Sequence, residues 1–342
     1  MRLQEHMGNQ VLAARDLDGR FAKIEEQAAI NNSPLKKFLK EILLAKMNEL
    51  NDNQKIAVTL VDIQNDFVLK DFALYAPGGE NTVLSNIALL DAISELIAQD
   101  SSVRHTIDIV TSQDAHILNR KITSPDSVMM ARSSYGLQET QDAITAEQNE
   151  LEPFDPQNGK FGLHCMNGTV GAAIATPIET RLAALSGQVK IHRFGKINFS
   201  GPKAGMLLKA GVDLSDAKYQ DPVNGIYDIQ ALSYLEFFKS SLYNDILVTG
   251  LCGDVCVRQA AEGLIEHVEH VTVIDPLIHY LVISGINTFD SARGDTVASY
   301  DKKGIEYIEC SQFRANPESK SDVLFANKMK ENAAIDEQLK KL

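Results

Sequence analysis

Three residues, each just past a run of apolar and β-branched positions, are the groups in this chain best suited to breaking an acyl bond. Cys256 lies in Val248-Thr249-Gly250-Leu251-Cys252-Gly253-Asp254-Val255-Cys256-Val257-Arg258, which reads as a strand, a tight glycine-containing turn and a helix that opens on the thiol. A sulfur in that position meets unpaired backbone N–H groups and the positive end of the helix dipole. Both favour thiolate, and the same N–H groups can hold an oxyanion beside it. Asp62 follows the run Ile56–Val61, and Lys196 follows Val189–His192 within Arg193-Phe194-Gly195-Lys196. Each alone has a plainer explanation: a packing cysteine, a turn-capping aspartate, an exposed lysine. If the three strands are parallel, however, all three side chains emerge on one edge of the sheet. A carboxylate there can take the thiol proton and later deliver it to a departing amine, while an ammonium lowers the thiol pKa and keeps the carboxylate ionised.

A second constellation follows another strand. Asp114 and His116 stand two residues apart in Ser112-Gln113-Asp114-Ala115-His116, and His164 lies in Phe161-Gly162-Leu163-His164-Cys165. One carboxylate and two imidazoles form a reasonable divalent-metal donor set with open positions. The spacing alone is a weak signal, because Asp-x-His is a common pattern.

The elements that must position these groups alternate. Ile56–Val61, His105–Val110, Val189–His192, Asp245–Val248, Val271–Ile274 and Ile305–Ile308 read as strands, with helices over Thr82–Gln99 and from Cys256 to about Val268. Near-continuous apolar runs mark strands buried on both faces, so the pattern predicts a doubly wound α/β domain whose functional residues collect at the carboxyl ends of the strands. Before it, Ser33-Pro34 opens a helix whose Leu35, Phe38, Leu39, Ile42, Leu43, Met47 and Leu50 form one stripe. The expected organisation is a helical extension over 1–54, a hydrolase domain over 55–315 with long insertions about 118–160 and 201–228, and a polar, helical tail over 316–342. The stripe needs a partner surface, its own domain before a second subunit or an outside protein.

A net charge of −13 without a basic block argues against nucleic acid or an anionic membrane as partner. Four cysteines in 342 residues make no disulfide framework and suit a reducing compartment. The first residues lack the apolar stretch of an export signal, and no uninterrupted apolar run is long enough to span a bilayer, so a cytoplasmic protein is expected.

Six segments in order resemble the nicotinamidase (pyrazinamidase) branch of the isochorismatase-like cysteine hydrolases, over about Ile56 to Asp275. They are Val61–Phe67 (Val-Asp-x-Gln-Asn-Asp-Phe), Pro77-Gly78-Gly79, Gln113–His116 (Gln-Asp-x-His), His164–Thr169 (His-Cys-x-x-Gly-Thr), Lys196 with Phe199-Ser200, and Gly250–Arg258. The resemblance implies the isochorismatase-like fold, a mostly parallel sheet with helices on both faces. It implies Cys256 as nucleophile, Asp62 as proton shuttle and Lys196 as their charge partner. The amides of Cys252 and Cys256 would form the oxyanion hole, with a cis peptide at Leu251–Cys252. Asp114, His116 and His164 would hold one divalent ion, zinc before iron or manganese, that receives the pyridine nitrogen of nicotinamide. Phe67, Phe161, Leu251 and Val255 would contact the substrate. Departures are visible: Phe161 stands where many members carry tryptophan, Gly253 where threonine is frequent, and no further histidine follows His116 closely.

The implied activity is hydrolysis of nicotinamide to nicotinate and ammonia through a thioester, within NAD salvage. The alternatives are a related cysteine hydrolase acting on another small amide or carbamoyl compound and, from a different class, a vestigial binding or regulatory module. The intact Asp62, Lys196 and Cys256 set disfavours the last. A homo-oligomer is left open.

Overall fold

The computed structural model describes residues 17–116, 160–197, 199–216, 218, 226–228, 231–240, 242–283, 286–310 and 313. Nearly all of the first expected insertion, a minor part of the second and the expected C-terminal tail lie outside the described residues. Two helices come first, α1 (Leu17–Asn31) and α2 (Ser33–Asn48), then strand β1 (Lys55–Val61), helix α3 (Gly79–Gln99), β2 (Ile107–Asp114), α4 (Thr176–Leu185) and β3 (Lys190–Lys196). The chain continues through β4 (Met206–Leu207), α5 (Tyr234–Ser240), β5 (Tyr243–Leu251), α6 (Cys256–Ile265), β6 (His270–His279), α7 (Phe289–Lys303) and β7 (Glu306–Ile308).

The strands form one seven-stranded sheet in the order β4-β3-β2-β1-β5-β6-β7. Every pairing is parallel except β3 with the two-residue β4. The chain winds outward from β1 to β3, then crosses back to lay β5 on the other side of β1. The strand order therefore reverses between β1 and β5, and in an open α/β sheet the crevice beyond that reversal is where ligands bind.

Alternation along β1 shows how the two faces are filled. Ile56, Val58 and Leu60 join a core cluster with α1, α2 and α3, while Ala57 and Val61 join another with α5, α6 and α7. Successive side chains on a strand point to opposite faces, so helices cover both, as the sequence predicts. Helix α3 has 21 residues and is apolar enough to cross a bilayer by length and composition, which the reading of uninterrupted apolar runs did not register. Here it is a core helix, packed on α1, α2, α4 and the sheet.

The extension belongs to this core. Leu35, Leu39 and Leu43 of the predicted stripe are buried in the cluster that contains Ile87 and Leu90 of α3, and Phe38, Ile42, Met47 and Leu50 pack at its margin. Each large apolar side chain so removed from water stabilises by roughly 1.5–3 kcal/mol. Lys46 interrupts the pattern. It is buried, and its Nζ meets Asp245 of β5, Thr272 Oγ1 of β6 at 2.7 Å and Glu306 Oε2 of β7 at 2.8 Å. One side chain from the extension thus ties three strands together near their amino ends.

Candidate active site

At the opposite, carboxyl edge, the ends of β1, β2, β3 and β5 bring the predicted groups together. Asp62 directly follows β1 with φ of 52°, a left-handed backbone that short polar side chains tolerate better than most. Its amide donates to Ser112 O at 2.8 Å, locking it against β2. Across the strand-order reversal, Gly250 has φ of 112°, and a Cβ there would lie 1.9 Å from the Val61 carbonyl oxygen. Glycine is what lets β5 reach that close to β1, just before the two chains part to carry Asp62 and Cys256. The Leu251–Cys252 peptide is cis, as the resemblance implies.

Lys196, fully buried at the end of β3, stands at the centre. Its Nζ lies 2.8 Å from Asp62 Oδ2, hydrogen-bonds Asp114 Oδ1, and points its remaining reach at Cys256 Sγ, 3.9 Å away. Burial disfavours its charge, but Asp114, Asp62 and Cys256 outweigh that and hold its pKa well above the usual lysine value. Burial together with the Asp114 charge pushes Asp62 up to about 7, despite the pull of Lys196. Burial likewise raises the Cys256 thiol well above its ordinary value, and Lys196 only partly offsets this and the two carboxylates. Here the structure departs from the expectation of a standing thiolate. In a site closed to water Lys196 does not offset the desolvation of the sulfur, so Cys256 stands as a thiol beside an aspartate raised to about 7.

Asp114 joins the two constellations. One carboxylate oxygen faces Lys196; the other, Oδ2, lies 3.8 Å from His116 Nε2 and 3.6 Å from His164 Nε2. All three side chains are buried, and one ligand atom from each falls within 4.8 Å of the others. Burial opposes the Asp114 charge, yet Lys196 and the two histidines hold it well below the usual carboxylate range. His164 is oriented by a 2.8 Å contact from Nδ1 to Gly162 O, which leaves Nε2 to face the cluster. Two carboxylates and one ammonium give this buried pocket surplus negative charge, and the carboxylate–imidazole–imidazole set suits a divalent cation in type and number.

The supports of these groups were not predicted individually. Gln64 Oε1 accepts from the Asp114 amide at 2.8 Å, while Gln64 Nε2 donates to Asp114 O and to Ala172 O, each at 2.8 Å. Asp66 accepts from the Cys165 amide at 2.6 Å and from the Ala73 amide at 3.1 Å, so it fixes the segment that carries His164. His116 and Met166 form a parallel bridge, with His116 N donating to Cys165 O at 3.2 Å. The polar run after β1 thus anchors both histidine segments. A glutamine and an aspartate so close to a buried strand were the signal available in the sequence.

The mouth of the site is a small pocket walled by Phe67, Phe161, Val255, Leu74, Phe199 and Leu281, with Asp114, His164, Cys252 and Cys256 on its floor. Of the four residues expected to contact substrate, Phe67, Phe161 and Val255 line this pocket. Leu251 is wholly buried in the core and is not among the residues that line the pocket. Leu281, Phe199 and Leu74 were not anticipated. The amides of Cys252 and Cys256 find no protein acceptor among the described residues, and Cys256 is the first residue of α6. Two unspent N–H donors beside a buried sulfur are the elements of an oxyanion hole.

Fold and pocket together define a doubly wound α/β protein with a cysteine–carboxylate–lysine site next to a metal-type cluster. No family model matches the chain, and no curated protein matches it in sequence. Solved structures that align with it include a nicotinamidase/pyrazinamidase from Bacillus subtilis, at 13% identity over 75% of this chain and 100% of that one, with TM-score 0.45. The yeast nicotinamidase aligns at 17% identity over 75% and 100%, with TM-score 0.43. An isochorismatase family protein from Desulfovibrio vulgaris aligns at 17% over 75% and 94%, also with TM-score 0.43. At such identities and scores the likeness fixes no activity; the residues in the pocket must carry that.

Proposed function

We propose that the protein is a metal-dependent cysteine amidohydrolase that converts nicotinamide to nicotinate and ammonia, serving NAD salvage. The observation that carries this reading is the buried contact of one ammonium with both Asp62 and the Cys256 thiol, beside two unspent amides. Asp62, titrating near 7, accepts the thiol proton as Sγ attacks the carboxamide carbon. The carbonyl oxygen becomes an oxyanion held by the Cys252 and Cys256 amides. Asp62 then passes the proton to the nitrogen, the C–N bond breaks, and ammonia leaves a thioester on Cys256. Water, deprotonated by Asp62, attacks that thioester; the C–S bond breaks, the thiol is restored and the carboxylate departs.

Asp114, His116 and His164 would hold the divalent ion, zinc by donor type with iron or manganese as alternatives, and when bound it supplies a Lewis acid for the pyridine nitrogen that aims the ring. Phe67 and Phe161 give the ring apolar walls. Four free cysteines support a reducing, cytoplasmic setting.

The test is ammonia release from nicotinamide and from benzamide, before and after chelation. Turnover of nicotinamide that is lost on chelation and restored by a divalent ion is expected, with benzamide a poor substrate because it lacks the ring nitrogen. Undiminished turnover by chelated, metal-free protein would remove the metal from the reading. Equal turnover of benzamide would point to another small amide as the substrate.

A further inference from the structure

A larger cavity, of about 440 Å³, opens at the seam between the extension and the sheet. Small-molecule sites usually enclose roughly 300–1,000 Å³. Its wall combines side chains from four separate elements: Asn31 of α1, Asn81 and Ser85 of α3, Asp275 and His279 of β6, and Phe289 of α7, with Phe313 beyond the last strand. Phe289 and His279 sit with ring centroids 5.4 Å apart and planes inclined at 46°, which gives the wall an aromatic corner. Burial lowers His279 to about 4, so its imidazole is neutral at pH 7. One ring nitrogen is engaged with the Pro77 backbone, and a neutral ring offers one donor and one acceptor nitrogen. Amides supply further donors and acceptors, and the Ser85 hydroxyl, which donates to Asn81 O at 2.9 Å, a further acceptor.

Charge narrows the occupant. Among the described residues no lysine or arginine lines this cavity, and Asp275 contributes a buried carboxylate. The Asp275 carboxylate already meets Arg293 Nε at 3.4 Å and the Tyr307 hydroxyl, so among the described lining residues a phosphate would find no cation to answer it, whereas an uncharged molecule loses nothing. The volume exceeds the need of a single six-membered ring, and the mix of ring surface with amides and hydroxyl matches a base joined to a polyhydroxylated sugar.

We propose that this cavity is a second small-molecule site, one that takes an unphosphorylated nucleoside. It is separate from the thiol pocket, yet close to it in structure. The His279 carbonyl accepts from the Gly253 amide at 2.6 Å, and Leu281, two residues on, lines the thiol pocket while its amide donates to Asp254 Oδ1 at 2.7 Å. An occupant therefore touches a residue one hydrogen bond away from the turn that presents Cys256.

Calorimetry on the full chain with adenosine tests this, and it does not depend on the activity proposed above. Binding at a single site with Kd below about 1 mM is expected, unchanged by saturating nicotinate, with AMP weaker by at least about tenfold. Asn81→Trp and Asn31→Trp each put an indole into the cavity and should weaken adenosine by at least about tenfold while the melting temperature stays close to wild type. Asn31 is exposed, so its variant remains informative should Asn81→Trp fail to fold. Failure of adenosine, inosine and cytidine alike to bind saturably overturns the proposal. So does adenosine binding that is indifferent to the folded tryptophan variants, equal affinity for AMP, or displacement of adenosine by nicotinate.

Discussion

Lys196 and Lys46 are both buried ammonium groups set between two carboxylates, at opposite edges of one sheet. Lys46 spends its three N–H donors on Asp245, Glu306 and the Thr272 hydroxyl, so every polar partner is answered. Burial pushes Glu306 up, but hydrogen bonds from Lys46 and Thr272 win and hold it below its ordinary value. At the other edge Lys196 meets Asp62 and Asp114, and its third direction is left to a thiol 3.9 Å away. There burial wins on Asp62, which rises to about 7. A buried ion pair is thus no mark of a site in itself. What distinguishes the edge proposed to be catalytic is an unanswered direction, a thiol in it and a carboxyl left near neutrality.

The largest expected effect separates the two edges outright. Cys256→Ala should remove turnover by at least about 1,000-fold with the fold intact, because the sulfur is both attacking group and covalent carrier. Cys165→Ala and Cys310→Ala should keep most of the rate. A Cys256→Ala protein that retains more than a few per cent of wild-type kcat, measured with freshly purified enzyme, would end the covalent mechanism.

Next comes the pH dependence of kcat/KM. Asp62 must be ionised to accept the thiol proton, and its pKa is raised to about 7 by burial and by Asp114. Below that value the protonated form dominates, and the rate should fall about tenfold per pH unit. A profile flat from pH 5 to 7 would show that Asp62 is not the base.

The lysines give the third contrast. Lys46→Met leaves Asp245 and Glu306 without their cation, and breaking a buried pair costs about 3–5 kcal/mol. Glu306 has a side chain 56% exposed and can be solvated, so the lower end is expected, with kcat/KM within a few-fold of wild type. Lys196→Met should instead lose activity as well as stability. Denaturant unfolding paired with kinetics reads both; a large kcat loss in Lys46→Met would mean that the amino edge of the sheet is coupled to the site.

The catalytic edge was the more legible of the two, for a physical reason. Ile56–Val61 and the run before Gly250 are apolar because parallel strands are covered on both faces, and such a run stops where functional side chains begin. Asp62 and Cys256, the groups proposed to act, stand just past such runs. The same rule misplaced the strand ends: β2 and β3 continue in register through Ser112–Phe194, Gln113–Gly195 and Asp114–Lys196, beyond the point where the apolar signal fades. His105, read as the start of a strand, instead closes a 3₁₀ turn capped by Asp100. Lys46 gave no signal, because a lysine at a helical position reads as solvated and its partners lie about 200 residues or more away in sequence. Leu281 and Phe199 were equally silent, since which loop residues wall a pocket is decided by tertiary approach.

The smallest effect concerns stability and tests the sign of the difference directly. A carboxyl whose folded pKa is raised, as Asp62 is from 3.8 to about 7, contributes stability that is fully present below the unfolded value and lost as pH rises through the folded one. Glu306, held below its ordinary 4.5, does the opposite: its contribution is present above that value and lost as pH falls below it. Asp62→Asn deletes the first dependence and leaves the second. The unfolding free energy of wild type minus that of Asp62→Asn, in chelated protein, should therefore grow as pH falls from about 7 to about 4, by at most about 1.4 kcal/mol per unit. Glu306→Gln, compared in the same way, should show no change from about pH 7 to about 5.5 and a decline as pH falls through 4.5 and below. A wild-type advantage that shrinks on acidification from pH 7 would mean that Lys196 masters Asp62 as Lys46 masters Glu306, and the two edges would then differ in their nucleophile alone.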